Sequence, residues 1–293
     1  MSRHHTCLTR RDFMRGTLAT AVAAPSLAIE SVNAQARPAR SSRVTVLRDK
    51  SALGDGNRVD SAVLKRMLGE TLLKVTGEKA VKSAWLSLVK PEDIIGLVPT
   101  PHLNPTHQEL IDLVRESLIE AGIPGDRIRL AQGGPEKPKA CTALIALPGL
   151  KAHWLTGIGT VLKNYIMYSG SPSSYHEKNS VKLGEIWNLP HVKGKTRLVL
   201  VDALRPLCDK GPQPDPRYMW NYNGLIAGTD PVAVETVGLG IITRMRQNLR
   251  GEPWPLSPPP LCVAAADEQF GLGTSRMAEI KVDPIGWTQD ILL

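Results

Sequence analysis

The chain has 293 residues, 42% of them hydrophobic and 22% charged, which is ordinary globular composition and excludes a disordered or low-complexity polypeptide. Its formal net charge is +8, but the basic residues are scattered, with no dense run and no interleaved aromatics, which argues against a nucleic-acid surface. Four cysteines without a C-x-x-C pair make a structural zinc knuckle or a contiguous iron–sulfur motif a poor expectation.

Residues 1–36 read as an export leader. Thr9-Arg-Arg-Asp-Phe-Met-Arg15 looks like a twin-arginine motif, a mildly apolar Ala/Thr run follows, and Ala34-Gln-Ala36 has the small-residue pattern of a cleavage site. The expected route is the twin-arginine translocase, with cleavage near Ala36 and a periplasmic mature protein. No later stretch reaches about 18 consecutive apolar residues, so no membrane span is expected. Residues 37–293 show neither an internal repeat nor a composition break and are expected to form one domain.

Along that domain the apolar periodicity switches repeatedly. Residues 43–48 alternate like a strand. Residues 59–75 carry apolar side chains at helical spacing, with Asp60 or Ser61 to cap the start and Gly77 to end it. Residues 93–99 form a short apolar run that reads as a buried strand. It delivers a Pro-punctuated loop holding His102 and His107. Residues 107–121 are strongly amphipathic and end at Gly122, and residues 127–131 are the next strand, which implies parallel pairing with the first of the two. Residues 142–147 are another apolar strand and residues 156–167 a predicted helix. Residues 169–174 form a Ser/Gly loop before Tyr175-His176-Glu177, and residues 181–189 a short helix. Residues 196–202 are the clearest central strand. Residues 204–222 read as a long Pro-rich loop containing Cys208, the kind of loop that builds or covers a site. Residues 224–228 are a strand, and Asp230-Pro231 starts a helix running to about residue 249, with Asp230 as a helix cap or a ligand-binding residue. A Pro-rich connector, a Gly-rich segment at 267–274 and a strand at 277–282 complete the chain. The expected fold is α/β: one domain with a mostly parallel, doubly wound sheet and long Pro-rich loops.

The chemistry concentrates in residues 149–165. Gly157 and Gly159 each cost about 1 kcal/mol against alanine in a helix, so their presence implies a close backbone approach. His153 stands where a strand opens, and α/β sites collect at carboxyl ends of strands. Lys163-Asn164 fails the Walker pattern, because Asn follows the lysine and the glycines are misplaced. An anion clamp remains. Asp202 ends the clearest strand, where a site carboxylate is expected, and His176 lies on a loop. The candidate catalytic residues are therefore His153, Lys163 and Asp202. The candidate ligand-binding residues are Gly157, Gly159, Asn164, His176 and Asp230. His153 and Asp202 form the candidate metal pair. No G-x-S-x-G and no H-E-x-x-H is present, so neither a hydrolase elbow nor a zincin site is indicated.

Several blocks in order resemble one family: Leu86-Ser-Leu-Val-Lys-Pro-Glu-Asp-Ile-Ile-Gly-Leu-Val98, Leu147-Pro-Gly-Leu-Lys-Ala-His153, Gly157-Ile-Gly-Thr-Val-Leu-Lys-Asn164, Lys195-Thr-Arg-Leu-Val-Leu-Val-Asp-Ala203 and Gly224-Leu-Ile-Ala-Gly-Thr-Asp-Pro-Val-Ala-Val-Glu235. The chain is similar there, over about residues 44–249, to the family called domain of unknown function 362. The resemblance implies an α/β domain, often exported by a twin-arginine leader. Some relatives carry a cysteine-rich ferredoxin-like segment, which this sequence lacks. It implies no general activity. Two functional classes follow from the residues. One is an exported protein, conceivably an enzyme, that binds a divalent metal ion or an anionic small molecule. The other is a non-catalytic binding or accessory protein that serves a cofactor or another exported enzyme.

Overall fold

The computed structural model describes residues 41–177 and 180–293. The leader motif and its cleavage site lie outside the described residues. Ala39–Leu293 form one compact unit. Its elements are β1 (Ser42–Arg48), α1 (Ser61–Thr76), α2 (Val81–Leu88), β2 (Ile95–Pro99), α3 (Gln108–Glu120), β3 (Ile128–Leu130), α4 (Glu136–Lys139), β4 (Ala143–Leu147), β5 (Gly149–His153), β6 (Gly157–Ile158), α5 (Val161–Asn164), α6 (Leu183–Trp187), β7 (Thr196–Leu207), β8 (Gly224–Gly228), α7 (Pro231–Arg250), α8 (Leu261–Glu268) and β9 (Ile280–Gly286).

The strands form a nine-stranded sheet whose main path runs β3-β2-β4-β7-β8-β1-β9, with β5 and β6 attached beside β7. The run β3-β2-β4-β7 is parallel, as are β1 with β9 and β5 with β7. β8 is antiparallel to both its neighbours. Period-two alternation sends each strand's side chains to opposite faces. In β7, Leu198 and Leu200 join one core and Val199 and Val201 the other. The first core is completed by α1, α2 and α3 through Leu64, Leu68, Trp85, Leu110 and Val114. The second is completed by α5, α6, α7 and α8 through Leu162, Ile186, Val237, Ile241 and Ala266. Helices on both faces of a mostly parallel sheet make the fold doubly wound.

Local signals explain the helix ends. Asp60 accepts from the Ala62 and Val63 amides at the start of α1, and Gly77 ends that helix in the left-handed region at φ 76°. Three expectations need correction. The predicted helix at 156–167 is instead the short strand β6, the single turn α5 and a 3-10 turn, because Gly157 at φ +75° folds the chain back so that it pairs with His153. β7 runs on through Pro206 to Leu207, because β5 supplies a second pairing partner beyond the end of β4. The last strand is Ile280–Gly286, set by its parallel register along all of β1, and the segment read as Gly-rich starts inside α8.

Asp230 is the N-cap of α7. Its side chain accepts from the Val232 and Ala233 amides, from Ser42 Oγ at 2.5 Å and from the Thr274 amide at 3.0 Å. It therefore joins the longest helix to the start of β1 and to the loop after α8. Replacing Asp230 with Ala should lower unfolding stability by about 0.5–2 kcal/mol, the range for losing such a cap. Urea denaturation checks this, and an unchanged midpoint would show that the cap carries no stability.

Candidate functional site

The site begins where β2 ends. β4 lies beside the first half of β7, Pro148 interrupts it, and β5 continues beside the second half, with Gly149 opposite Asp202. β5 thus projects past the carboxyl end of β2, the position at which sites collect in such sheets. Alternation puts Leu150 and Ala152 into the core. Lys151 and His153 take the opposite face, toward residues 100–107. β6 returns against β5, and the Gly159 amide donates to the Lys151 carbonyl at 2.9 Å.

The two glycines serve different needs. A Cβ on Gly159 would lie 3.0–3.3 Å from the His153 side chain, so any larger residue would press on the ring. Gly157 supplies the positive φ of the turn, and its Cβ would lie 2.7 Å from the Pro258 carbonyl oxygen; it does not line the cavity.

The turn α5 presents Lys163 and Asn164. It is anchored from α7 by Glu235, whose Oε2 accepts from the Val161 and Leu162 amides. Glu235 is fully buried, its Oε1 has no partner, and burial pushes the carboxyl up to about 7 despite those amides. Asn164 ties α5 to the end of β2: Nδ2 donates to the Val98 carbonyl at 2.7 Å, and Thr100 Oγ1 donates to Oδ1 at 3.4 Å.

Lys151, His153, Gly159, Lys163, Asn164 and His176 line one cavity of about 360 Å³. Its walls are completed by the loop at 100–103 and by apolar side chains that include Trp154, Ile166 and Met167. Among the described residues no aspartate or glutamate lines it. The consequence is electrostatic. Burial and the Lys163 charge bring the Lys151 ammonium down to about 7. Burial brings Lys163 down to about 8. Burial, then Lys163, His176 and Lys151, push His153 down to about 3, so its ring is neutral at any ordinary pH. His176 is lowered too, by burial and Lys163, and its ring stacks on His153 with centroids 5.8 Å apart and planes 14° apart.

Hydrogen bonds assign the remaining roles. Lys151 Nζ donates to the Leu103 carbonyl at 2.6 Å and the Asn104 carbonyl at 3.1 Å, pinning the loop and leaving one ammonium proton for a ligand. The Lys163 carbonyl accepts from the Tyr165 amide, but its ammonium makes no hydrogen bond or ion pair among the described residues. His153 Nδ1 accepts from the Leu155 amide at 3.1 Å, which places the neutral ring's proton on Nε2. A metal-ligating Nε2 would need that position free of a proton, so His153 fits a donor better than a ligand.

Asp202 and Asp230 stand apart from this cavity. Asp202 Oδ2 accepts from the backbone amide and from Nδ1 of His107, both at 2.7 Å, and Oδ1 accepts from the Leu204 amide at 3.1 Å. With its oxygens engaged there, Asp202 is not placed as a partner of His153 in a metal pair. Among the described residues no group of three or more His, Cys, Asp or Glu could hold a metal ion. Cys141, Cys208 and Cys262 are free and buried, and burial pushes the Cys208 thiol up to about 11, which makes it a poor thiolate.

Sequence reasoning assigned no role to Lys151 or Thr100. The signal for Lys151 was available, since it shares with Gly149 and His153 the face opposite Leu150 and Ala152. Thr100 gave none, because its importance comes from where β2 stops.

Residues 101–240 match the model of a family described as a domain of unknown function (DUF362). The match is narrower than residues 44–249. It covers Lys151, His153, Lys163, Asn164, His176, Asp202, Asp230 and Glu235, and supports the domain assignment for that stretch. No curated protein and no solved structure matches the chain.

Two outcomes follow from the charges. Lys163→Gln should raise the His176 pKa toward its ordinary value, because a repelling cation is removed; ring proton shifts followed against pH measure this, and no movement would place the Lys163 ammonium away from the histidines. Glu235 contributes a destabilisation that grows with pH. Its carboxyl is held protonated in the fold, so stability is greatest below the unfolded value near 4.5 and falls until about 7, by roughly 3 kcal/mol. Glu235→Gln should remove that slope from the pH–stability profile, and an unchanged slope would contradict the assignment.

Proposed function

We propose that the cavity between β5, α5 and residues 100–103 binds a small organic anion, a carboxylate or a phosphate ester with an apolar body. The observation that supports this reading is the pairing of two lysines in a semi-enclosed cavity that, among the described residues, no carboxylate lines. Buried charge is ordinarily paired, and here no described residue lining the cavity supplies a counter-charge. An anion would neutralise both ammonium groups and reverse the lowering of both lysines. Lys163 acts as the free clamp, Lys151 as a cation fixed by two carbonyls, and His153 offers a neutral N–H donor. Asn164 holds the clamp in place. The volume falls within the usual range of small-molecule sites. The electrostatics favour an anion over a divalent cation, which the lysines would repel.

A second reading has its own support. Trp154 is 59% exposed at the cavity mouth, with Leu103 and Met167 also exposed. An apolar rim of this kind suits a partner that presents an acidic group to the lysines, as an accessory protein would require. Either role would be exercised in the periplasm after twin-arginine export; Thr9–Arg15 and Ala34-Gln-Ala36 support that placement. No described helix is long and apolar enough to cross a membrane.

Titration calorimetry with benzoate, phenyl phosphate and neutral benzamide tests the reading. The anions should bind and benzamide should not. Lys163→Gln should weaken the anions 10–100-fold, about the worth of a charge-assisted hydrogen bond. Affinity should fall as pH rises through about 7–8, where the lysines lose their protons. Equal binding of benzamide and benzoate, or anion binding indifferent to Lys163, would refute it.

A further inference from the structure

A second cavity, about 490 Å³, lies on the other side of residues 100–107 and shares Thr100 and Pro101 with the first. It is lined by Pro99, the 104–109 stretch, Gln132, Arg205 and a few apolar side chains. Three observations converge in it. His107 Nδ1 is bonded to the buried Asp202 carboxylate at 2.7 Å, which fixes the ring and leaves Nε2 as the nitrogen available to a ligand. Arg205 lines the same space and makes no hydrogen bond or ion pair among the described residues. Gln132 lines it as well, with its Oε1 buried and without a partner. The amide nitrogen, Nε2, is the end of Gln132 that an oxyanion could meet, because Oε1 only accepts.

We propose that this cavity is a second binding site, distinct from the lysine cavity, that takes a small oxyanion through the Arg205 guanidinium and the His107 imidazole. Arg205 supplies a planar fork matched to two oxygens of a carboxylate or phosphate. In its protonated form His107 supplies Nε2–H, and Asp202 is a positioning residue that accepts from the ring's other N–H at Nδ1. The Asp202 charge is spent on His107 and on two backbone amides, so it faces the ring rather than the ligand. Glu109 is the one carboxylate among the lining residues. Burial works against the charged His107 ring; the Asp202 hydrogen bond and charge, with Glu109, outweigh burial and the opposing Arg205, and the ring's pKa is raised. An oxyanion would raise it further.

The test follows the His107 ring resonances of the full protein during titration with inorganic phosphate and with acetate. It uses the Lys163→Gln background, in which the lysine cavity is weakened. Saturable movement of the His107 signals, with a rise in its pKa, is expected. Arg205→Gln should weaken that response at least tenfold, and Arg205→Lys, which keeps the charge but not the fork, should weaken it less. Asp202→Asn should lower the His107 pKa and the phosphate affinity together, which a purely structural hydrogen bond would not do. If Asp202→Asn does not fold, the two Arg205 variants decide. A His107 signal that does not respond to either anion, or a response indifferent to Arg205, overturns the proposal. In the protein with Lys163 intact, the His153 and His176 signals report the first cavity separately. Silence there with a response at His107 would count against the lysine cavity alone, and the reverse against this one alone.

Discussion

Two lysine ammonium groups share one semi-enclosed space with no carboxylate among the described residues of its walls, and most of what is distinctive here follows from that constraint. Placing like charges together under partial burial is unfavourable, and both lysines respond by holding their protons less tightly. A fold keeps such an arrangement only when the surrounding structure holds it in place. Here the hold comes from Lys151, whose two carbonyl acceptors sit on the loop that closes the cavity, and from Glu235, which grips α5 from behind.

The sheet topology explains why the cavity exists at all. Pro148 divides what would be one long strand into β4 and β5, and both run along β7. The second half therefore has no β2 beside it, and residues 100–107 fill that side instead. Backbone atoms that would pair in a sheet are met by side chains: the Gly149 amide by Thr100 Oγ1, the Leu147 carbonyl by Thr106 Oγ1, and the Val98 carbonyl by Asn164 Nδ2. One irregular loop, stitched to the sheet by polar side chains, thus separates the two cavities. Among the described residues the lysine cavity is lined by neutral and cationic groups alone. The other keeps an oriented His107–Asp202 pair beside Arg205.

Much of the fold is legible in the sequence, because periodicity and caps are local signals. Residues 59–75 and 107–121 show helical spacing, residues 196–202 read as a buried strand, and Asp230-Pro231 marks a helix start. The α/β class and the mostly parallel sheet follow from those elements. Local signals mislead where a long-range contact decides the conformation. Residues 156–167 have helical composition, yet pairing between His153 and Gly157 turns the first of them into a strand. The last strand's bounds are set by β1, more than 200 residues earlier in the chain. The site was legible in the same partial way. His153, Lys163, Asn164 and His176 stand out by residue type and surroundings, and they do line one cavity. Asp202 stands out equally by its place at a strand end, but its partner is His107, and no local signal says which histidine a strand-end carboxylate will meet.

The most direct measurement is the titration of Lys163 itself in the unliganded protein, read from its side-chain carbon shifts against pH. The account predicts a midpoint near 8, well below the ordinary lysine value of 10.5, and a return toward that value when an anion is added. A midpoint at the ordinary value in the empty protein would mean that Lys163 is solvated and the cavity carries no unmet charge, and the anion reading would fall with it.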